Sequence, residues 1–488
     1  MLLSKIKIGL LSVGASLLLM QSCTKGFEDL NQNPTRPTNV TPSEMITGVE
    51  KTASDIIYGV FVNGNLGMLY AQYYAQTQKE NSSQYQLDEG SNNSIWSLYS
   101  VPLSNIDEIK RLNQINPDPG AQNENAVVDV LSVWIYQILT DIYGDIPYGQ
   151  SLAGNENLTP SYDDAKLIYD SLVIKLDHAI SQLDSDQPSF PTGELIYNGD
   201  PSQWKKLANS LKLRIGIRMA DADPAKSKKI VEEAVASGVM TSIADEAKFP
   251  YLATVPDQFP FNEQKGTGIP NDFQVTATLV DFLKETKDPR LAIYARPATA
   301  TKTYVGKPYG IGSFDQGFEG YSYPGTAVYS PTFPGYIMNY AEVAFALAEA
   351  AARGYNVGGN AADFYDKGVR ASMTFWGVSE AEQTAFLKQN PYSNGNWRDV
   401  IGTQKWLALY NQGLQGWFER TRLDFKKPDG SPLFVAPKVS LDPNVQMVPS
   451  RLTYPTSEQS NNQDHYNEAI QKIGGKDSKA IRLWWQKK

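Results

Sequence analysis

Over much of the chain, apolar positions recur with the spacing of helices. In residues 162–183, Ile168, Leu172, Leu176, Ala179 and Leu183 follow one another at intervals of four, four, three and four, which places them in one stripe of a helix. Residues 204–219 repeat the pattern with Trp204, Leu207, Ala208, Leu211 and Ile215. In 336–354 the small residues Ala341, Ala344, Ala348 and Ala351 share a face that lets another helix approach closely, and Gly354 is placed to end the helix. A further helix is predicted over 131–142, stopped by Gly144, with Pro147 stiffening the exit. Between 248 and 334 this periodicity fades into dense Pro, Gly, Tyr and Phe, and 304–310 reads as irregular turns. Helical texture returns over 336–425, a Pro-rich coil follows over 426–455, and a last helix spans 463–473 before a tail carrying Trp484 and Trp485. The pattern predicts a mainly α protein. Its helical pairs suggest tetratricopeptide-like packing, although no clean period of about 34 residues is visible, and a loop-rich second lobe occupies about 248–334.

The first residues have a different texture. Lys5 and Lys7 precede an apolar run over 8–20 and then Gln21-Ser22-Cys23. The run, about 13 residues, is too short to span a bilayer comfortably and reads as a signal peptide. A small residue before a cysteine at the end of such a run resembles a lipobox, so residues 1–22 are expected to be removed and Cys23 to carry the lipid. Met20 and Gln21 fit the usual pattern poorly, and cleavage nearby with Cys23 as an ordinary thiol is the alternative. Residues 23–41, rich in Asn, Pro and Thr, suit an extended tether, and folded structure is expected from about Pro42 to 488. No second apolar stretch is expected to reach membrane-spanning length.

Composition narrows the function. The chain has 488 residues, a net charge of −9 and no long basic run, which argues against a nucleic-acid partner. Cys23 is its one cysteine, so no disulfide framework exists and the core must hold the fold. With two histidines, His178 and His465, a histidine metal cluster is nearly excluded, and no metal or other cofactor is expected. No His-Glu-x-x-His, phosphate loop or nucleophile elbow is present, and Gly149-Gln150-Ser151-Leu152-Ala153 lacks the final glycine. Asp184-Ser185-Asp186 and Asp221-Ala222-Asp223 begin like calcium loops but lack the later glycine and glutamate, and read as helix-end turns. Glu342 and Glu349 could form a hydrolytic carboxylate pair, yet Arg353 stands four residues after Glu349 in the favourable order for an ion pair. Arg214 and Arg218 could clamp an anion, and pairing with carboxylates of a neighbouring helix is the preferred reading. No catalytic residue is assigned.

Several segments together resemble a known family. They are Asp29-Leu30-Asn31-Gln32-Asn33-Pro34, Tyr143-Gly144-Asp145-Ile146-Pro147-Tyr148, and Trp204 with 208–214. Further along come Asp288-Pro289-Arg290, Tyr340-Ala341-Glu342 with Ala348-Glu349-Ala350, and Arg451-Leu452-Thr453-Tyr454-Pro455 with Glu458. In this order they resemble the SusD/RagB lipoproteins of Bacteroidota, in the SusD-like nutrient-binding subgroup. The resemblance implies a tetratricopeptide-like scaffold on the outer membrane, lipid-anchored and exposed at the cell surface. It also implies a lid role on a SusC-like TonB-dependent transporter, with capture of a glycan or, in some members, a peptide, and no enzymatic activity. Glu28 and Asp29 fit the family's surface-export signals.

Aromatic residues make up 11% of the chain, with 27 tyrosines. Rings presented from loops suit sugars, whose C–H faces lie on flat rings while hydroxyls seek amides and carboxylates. The candidate ligand-binding residues are Tyr304, Tyr309, Phe314, Phe318, Tyr321 and Tyr323, with Asp315, Gln316 and Glu319 among them. At most two or three of the six are expected to touch ligand, the rest pinning turns to the core. A second patch is Tyr85, Asn92, Asn93 and Trp96, where Trp96 and Tyr99 are placed at the start of a helix and packing is the preferred role. Tyr143 and Tyr148, in a motif independent of cargo, are read as structural. Glycan capture is the leading function, peptide capture by the same lid the alternative, and a surface-tethered hydrolase or a ligand-free scaffold the less favoured classes.

Overall fold

The computed structural model describes residues 40–77, 80–263, 272–311 and 319–486. Cys23, the leader and the tether up to residue 39 lie outside them, as do Phe314 and Phe318. The body begins at Pro42, and the residues before it form a separate unit. Helices α1 (Pro42–Tyr58), α2 (Glu89–Leu98), α3 (Ser104–Ile115) and α4 (Ala121–Tyr143) lead into α5 (Ala165–Gln182), α6 (Pro201–Arg218) and α7 (Pro224–Ser237). Then come α8 (Pro260–Glu263), α9 (Ala277–Glu285), α10 (Leu291–Tyr294), α11 (Tyr340–Ala352) and α12 (Ala361–Phe375). The series closes with α13 (Glu380–Gln389), α14 (Trp397–Ala408), α15 (Gly413–Leu423), α16 (Thr456–Asn461) and α17 (Gln463–Lys472). Three antiparallel strand pairs supplement them: β1 (Tyr74–Gln76) with β5 (Phe273–Val275), β2 (Ile146–Pro147) with β3 (Tyr162–Asp163), and β4 (Ala247–Phe249) with β6 (Gly335–Met338).

The helices form where the apolar stripes predicted them, and side-chain caps fix their starts. Asp164 accepts from the amides of Lys166 and Leu167 to open α5, Asp200 precedes Pro201 at the start of α6, and Asn339 and Asn360 cap α11 and α12. Consecutive helices pack in pairs, α4 on α5, α6 on α7 and α11 on α12, and α11 also meets α6 and α14. Gly144 ends α4 at φ +89°, a conformation that favours glycine. A segment with wide i to i+5 turns, Val60–Met68, crosses α15 closely. A Cβ on Gly67 would stand 2.5 Å from the Leu414 nitrogen, so only glycine lets these backbones meet.

Four expectations change. α4 is long and apolar enough to cross a membrane by length and composition, contrary to the sequence reading. Its apolar window is buried inside the protein, and Glu124, Asp129, Gln137 and Asp141 interrupt the apolar run in the sequence. Tyr336 belongs to strand β6, not to a helix, and the segment 248–334 contains the nine-residue helix α9, capped by Thr276. Trp96 lies in the last turn of α2, not its first.

Buried ion pairs cross-link the helices. Arg214 of α6 grips Glu342 of α11 with two bonds of 2.6 and 2.7 Å and also donates to the Ile337 carbonyl. Arg218 reaches Asp141 at 2.9 Å and Gln415 at 2.8 Å. Arg422 of α15 holds Glu349 at 2.7 and 2.6 Å and Glu419 at 2.6 Å, while Lys405 joins Glu419 at 3.1 Å. Arg290 clasps Asp288 at 2.9 and 2.6 Å. Arg451 donates to the Tyr143 carbonyl and pairs with Asp477. The segments that carry the family resemblance are therefore largely this internal framework. Glu342 and Glu349 are both consumed in it, which removes them as hydrolytic groups. Asp221 is likewise held by Arg353 and Arg398 at 2.8 and 2.9 Å.

Candidate ligand-binding face

The two sequence patches meet. The Gln84 side chain donates to the Ile311 carbonyl at 2.9 Å, and the Tyr85 and Tyr309 rings lie 6.3 Å apart. A strip of the Pro-rich coil staples them together: the amides of Lys438 and Val439 donate to the carbonyls of Tyr309 and Gly310, and that of Leu441 to Gln84. Segments separated by more than two hundred positions are thereby brought into contact.

Within this surface the candidate rings differ in exposure. Tyr85 is buried, its phenol donating to the Met447 carbonyl and its ring edge-on to Tyr70. Tyr309 is 2% exposed and Tyr321 is also buried, the latter beneath the Lys307 ammonium at 5.0 Å. These three rings build the wall and present little face to solvent. Tyr304 and Tyr323 are half-buried; the Tyr304 carbonyl receives the Lys284 amine, and Arg296 lies 5.5 Å over the Tyr323 ring. Burial pushes the Tyr323 phenol up from its ordinary value, with the Arg296 charge opposing. In the second patch Asn92 is buried between Tyr143, whose phenol donates to it at 2.5 Å, and the Thr453 carbonyl at 3.1 Å. Trp96 is half-buried against Tyr143 at 5.1 Å and Tyr99 at 5.1 Å, and Asn93 is exposed. The rings open to a ligand are thus Tyr304, Tyr323 and the free part of Trp96, with Asn93 as an amide.

Two features escaped the sequence reading. Phe61 is 48% exposed beside Gly90 at the start of α2, the one aromatic that is largely exposed among the described residues. It sits in an apolar run, Val60-Phe61-Val62, that carries no surface signal. The second is a groove of about 390 Å³ adjoining Tyr309, floored by Ala277, Phe282 and Leu433 and rimmed by Asp281, Glu285, Lys427 and Lys438. Its size falls in the range that takes small ligands. Lys427 is tied to Glu285 at 2.5 Å, which leaves Asp281 and Lys438 exposed at the rim.

Among the described residues no group of His, Cys, Asp and Glu is disposed to hold a metal ion. His178 is exposed, and His465 stands 3.0 Å from Glu468 on the surface. A helical body cross-linked by buried ion pairs, offering half-buried rings and a ligand-sized groove, defines a binding protein.

Comparison with known proteins supplies the family. A family model described as starch-binding, associating with the outer membrane, matches residues 34–455, and the chain belongs to this SusD-like family of Bacteroidota. Its members are binding proteins without catalytic activity, and this chain is not an enzyme. Among solved structures, one described as a chitin-binding protein is 28% identical with a TM-score of 0.82, covering 92% of this chain and 100% of its own. A SusD homolog from Bacteroides uniformis is 26% identical with a TM-score of 0.82 and the same coverage. Another from Bacteroides thetaiotaomicron is 25% identical with a TM-score of 0.77, again over 92% and 100%. No curated protein matches the chain by sequence.

Proposed function

We propose that this protein captures oligo- or polysaccharide at the cell surface and hands it to a SusC-like TonB-dependent transporter in the outer membrane. The observation that supports the reading is the junction of Gln84 with Ile311 and of Tyr85 with Tyr309, which brings the two aromatic segments into contact beside the half-buried Tyr304 and Tyr323. Family membership and a similar structure described as chitin-binding support a glycan over other cargo. In this reading Tyr304, Tyr323, Trp96 and Phe61 offer faces to sugar rings, Asn93 and Asp281 take hydroxyls, and Tyr85, Tyr309, Tyr321 and Asn92 hold the wall behind them. Phe314 and Phe318 keep their place as candidate contacts. The helical pairs are read as a tetratricopeptide-like scaffold, with 248–334 as the lobe that carries the face. Cys23 is the lipid anchor after removal of residues 1–22, and 23–41 the tether.

Titration calorimetry against starch, chitin and mixed oligosaccharides tests the cargo. Binding to at least one glycan, weakened by Tyr323→Ala, is expected; flat glycan titrations alongside binding of a peptide pool would overturn the glycan reading. Peptide is the second reading because the groove rim carries both Asp281 and Lys438, charges suited to peptide termini and side chains. Mass spectrometry of the mature N-terminus tests the anchor, with diacyl or triacyl Cys23 expected. Co-purification with a transporter from outer membranes tests the partner.

A further inference from the structure

A second cleft lies among α3, α4, α5 and the turn after β2. It encloses about 340 Å³ and is lined by Leu103, Ile106, Leu152 and Ala153 on its apolar side. The polar side holds Asp107, Lys110, Asp129, Ser132, Tyr136, Tyr148, Ser151 and Lys175. Most of these groups are satisfied internally. Lys110 pairs with Asp129 at 2.7 Å, the Tyr136 phenol and the Ser151 hydroxyl are 2.7 Å apart, and Ser132 donates to the Asp129 carbonyl.

Two groups are left over. The Lys175 ammonium stands 5.7 Å over the Tyr148 ring and makes no hydrogen bond or ion pair among the described residues. Burial pushes its pKa down, with the charges of Asp129 and Asp107 opposing, and the ammonium has no hydrogen-bonded partner of its own. Asp107 is exposed at the same cleft and likewise carries no hydrogen bond. The cation–π contact with Tyr148 gives Lys175 partial compensation, weaker than a charge-assisted hydrogen bond.

The charge pattern selects a ligand. With Lys110 and Asp129 satisfying each other, the cleft offers one open cation, one open carboxylate acceptor and an aromatic flank. A free phosphate would use none of the apolar wall and offer no ring to Tyr148. A neutral sugar would leave Lys175 as it stands. A molecule with a single carboxylate and several hydroxyls answers all three demands: its carboxylate meets Lys175, its hydroxyls donate to Asp107 and exchange with Ser151, and its ring C–H groups lie on Tyr148. We propose that this cleft is a separate binding site for a carboxylate-bearing sugar of hexuronate size.

The probe is glucuronate, titrated into the full chain by calorimetry, with glucose, acetate and inorganic phosphate as separate arms. Binding of glucuronate, and none or at least about tenfold weaker binding in the other arms, is expected. Lys175→Met should raise the dissociation constant at least about tenfold, a change of about 1.4 kcal/mol. Ala153→Trp, at an exposed position on the cleft rim, should block it without touching the core. Tyr323→Ala, outside the lining of this cleft, should leave glucuronate binding unchanged. No glucuronate binding, equal binding of phosphate, or retained binding in a folded Ala153→Trp variant would overturn the proposal.

Discussion

At the scale of single residues, the interior is governed by charge pairs that tolerate no loss of one member. Arg422 serves Glu349 and Glu419 together, and both carboxylates lie below their ordinary range because neighbouring guanidinium charge outweighs their burial. Arg422→Met should cost about 3–5 kcal/mol in urea unfolding, because it strands buried carboxylates. Glu50 is the opposite case. It is buried beside Glu194, and burial followed by that neighbour's charge pushes its pKa well above 4.5. The folded protein therefore keeps a proton that the unfolded chain releases, and stability falls as pH climbs from about 4.5 toward the raised value. Glu50→Gln should flatten that fall in melts recorded from pH 4 to 8. On the ligand face, Tyr323→Ala should weaken glycan binding about 3- to 10-fold at unchanged melting temperature, the worth of one ring contact. The pairing of Arg214 and Arg218 was legible in the sequence because basic residues four apart beside an apolar stripe have to meet acids on the next helix. The openness of Lys175 was not, since its lack of a partner depends on three helices at once.

At the scale of elements, the sequence revealed helices well and strands poorly, for a plain reason. A stripe such as Ile168, Leu172, Leu176 repeats over several turns, whereas β4 and β6 pair over three or four residues, too few for a two-residue period to stand out. The face itself was half legible: both aromatic patches were visible, but the bond from Gln84 to Ile311 and the stapling strip at 438–441 leave no local pattern. Burial then divided rings that look alike in the sequence, Tyr309 and Tyr321 going inward and Tyr304 and Tyr323 staying at the surface. The crossing of Val60–Met68 over α15 rests on two glycines, Gly67 and Gly413. Gly413→Ala should force these backbones apart and cost about 1–3 kcal/mol in denaturant unfolding, with helix content by circular dichroism retained.

At the scale of the whole molecule, the segment around residues 483–485 is largely internal. Leu483 and Trp485 are buried, Trp484 packs edge-on to Tyr169, and Arg218 lies 5.5 Å over the Trp485 ring. Leu483 also sits against Gly144, at the end of the central helix. Trp485→Ala should cost about 3–5 kcal/mol, as for any large ring removed from a core, and deletion from Leu483 onward should abolish the cooperative urea transition. The same arrangement bears on timing. A nascent chain emerging in order reaches its centre last, so α4, α5 and α6 lack part of their packing until residue 485 has been made. A chain cut before Leu483 leaves the Gly144 end of α4 and the Tyr169 ring without their cover.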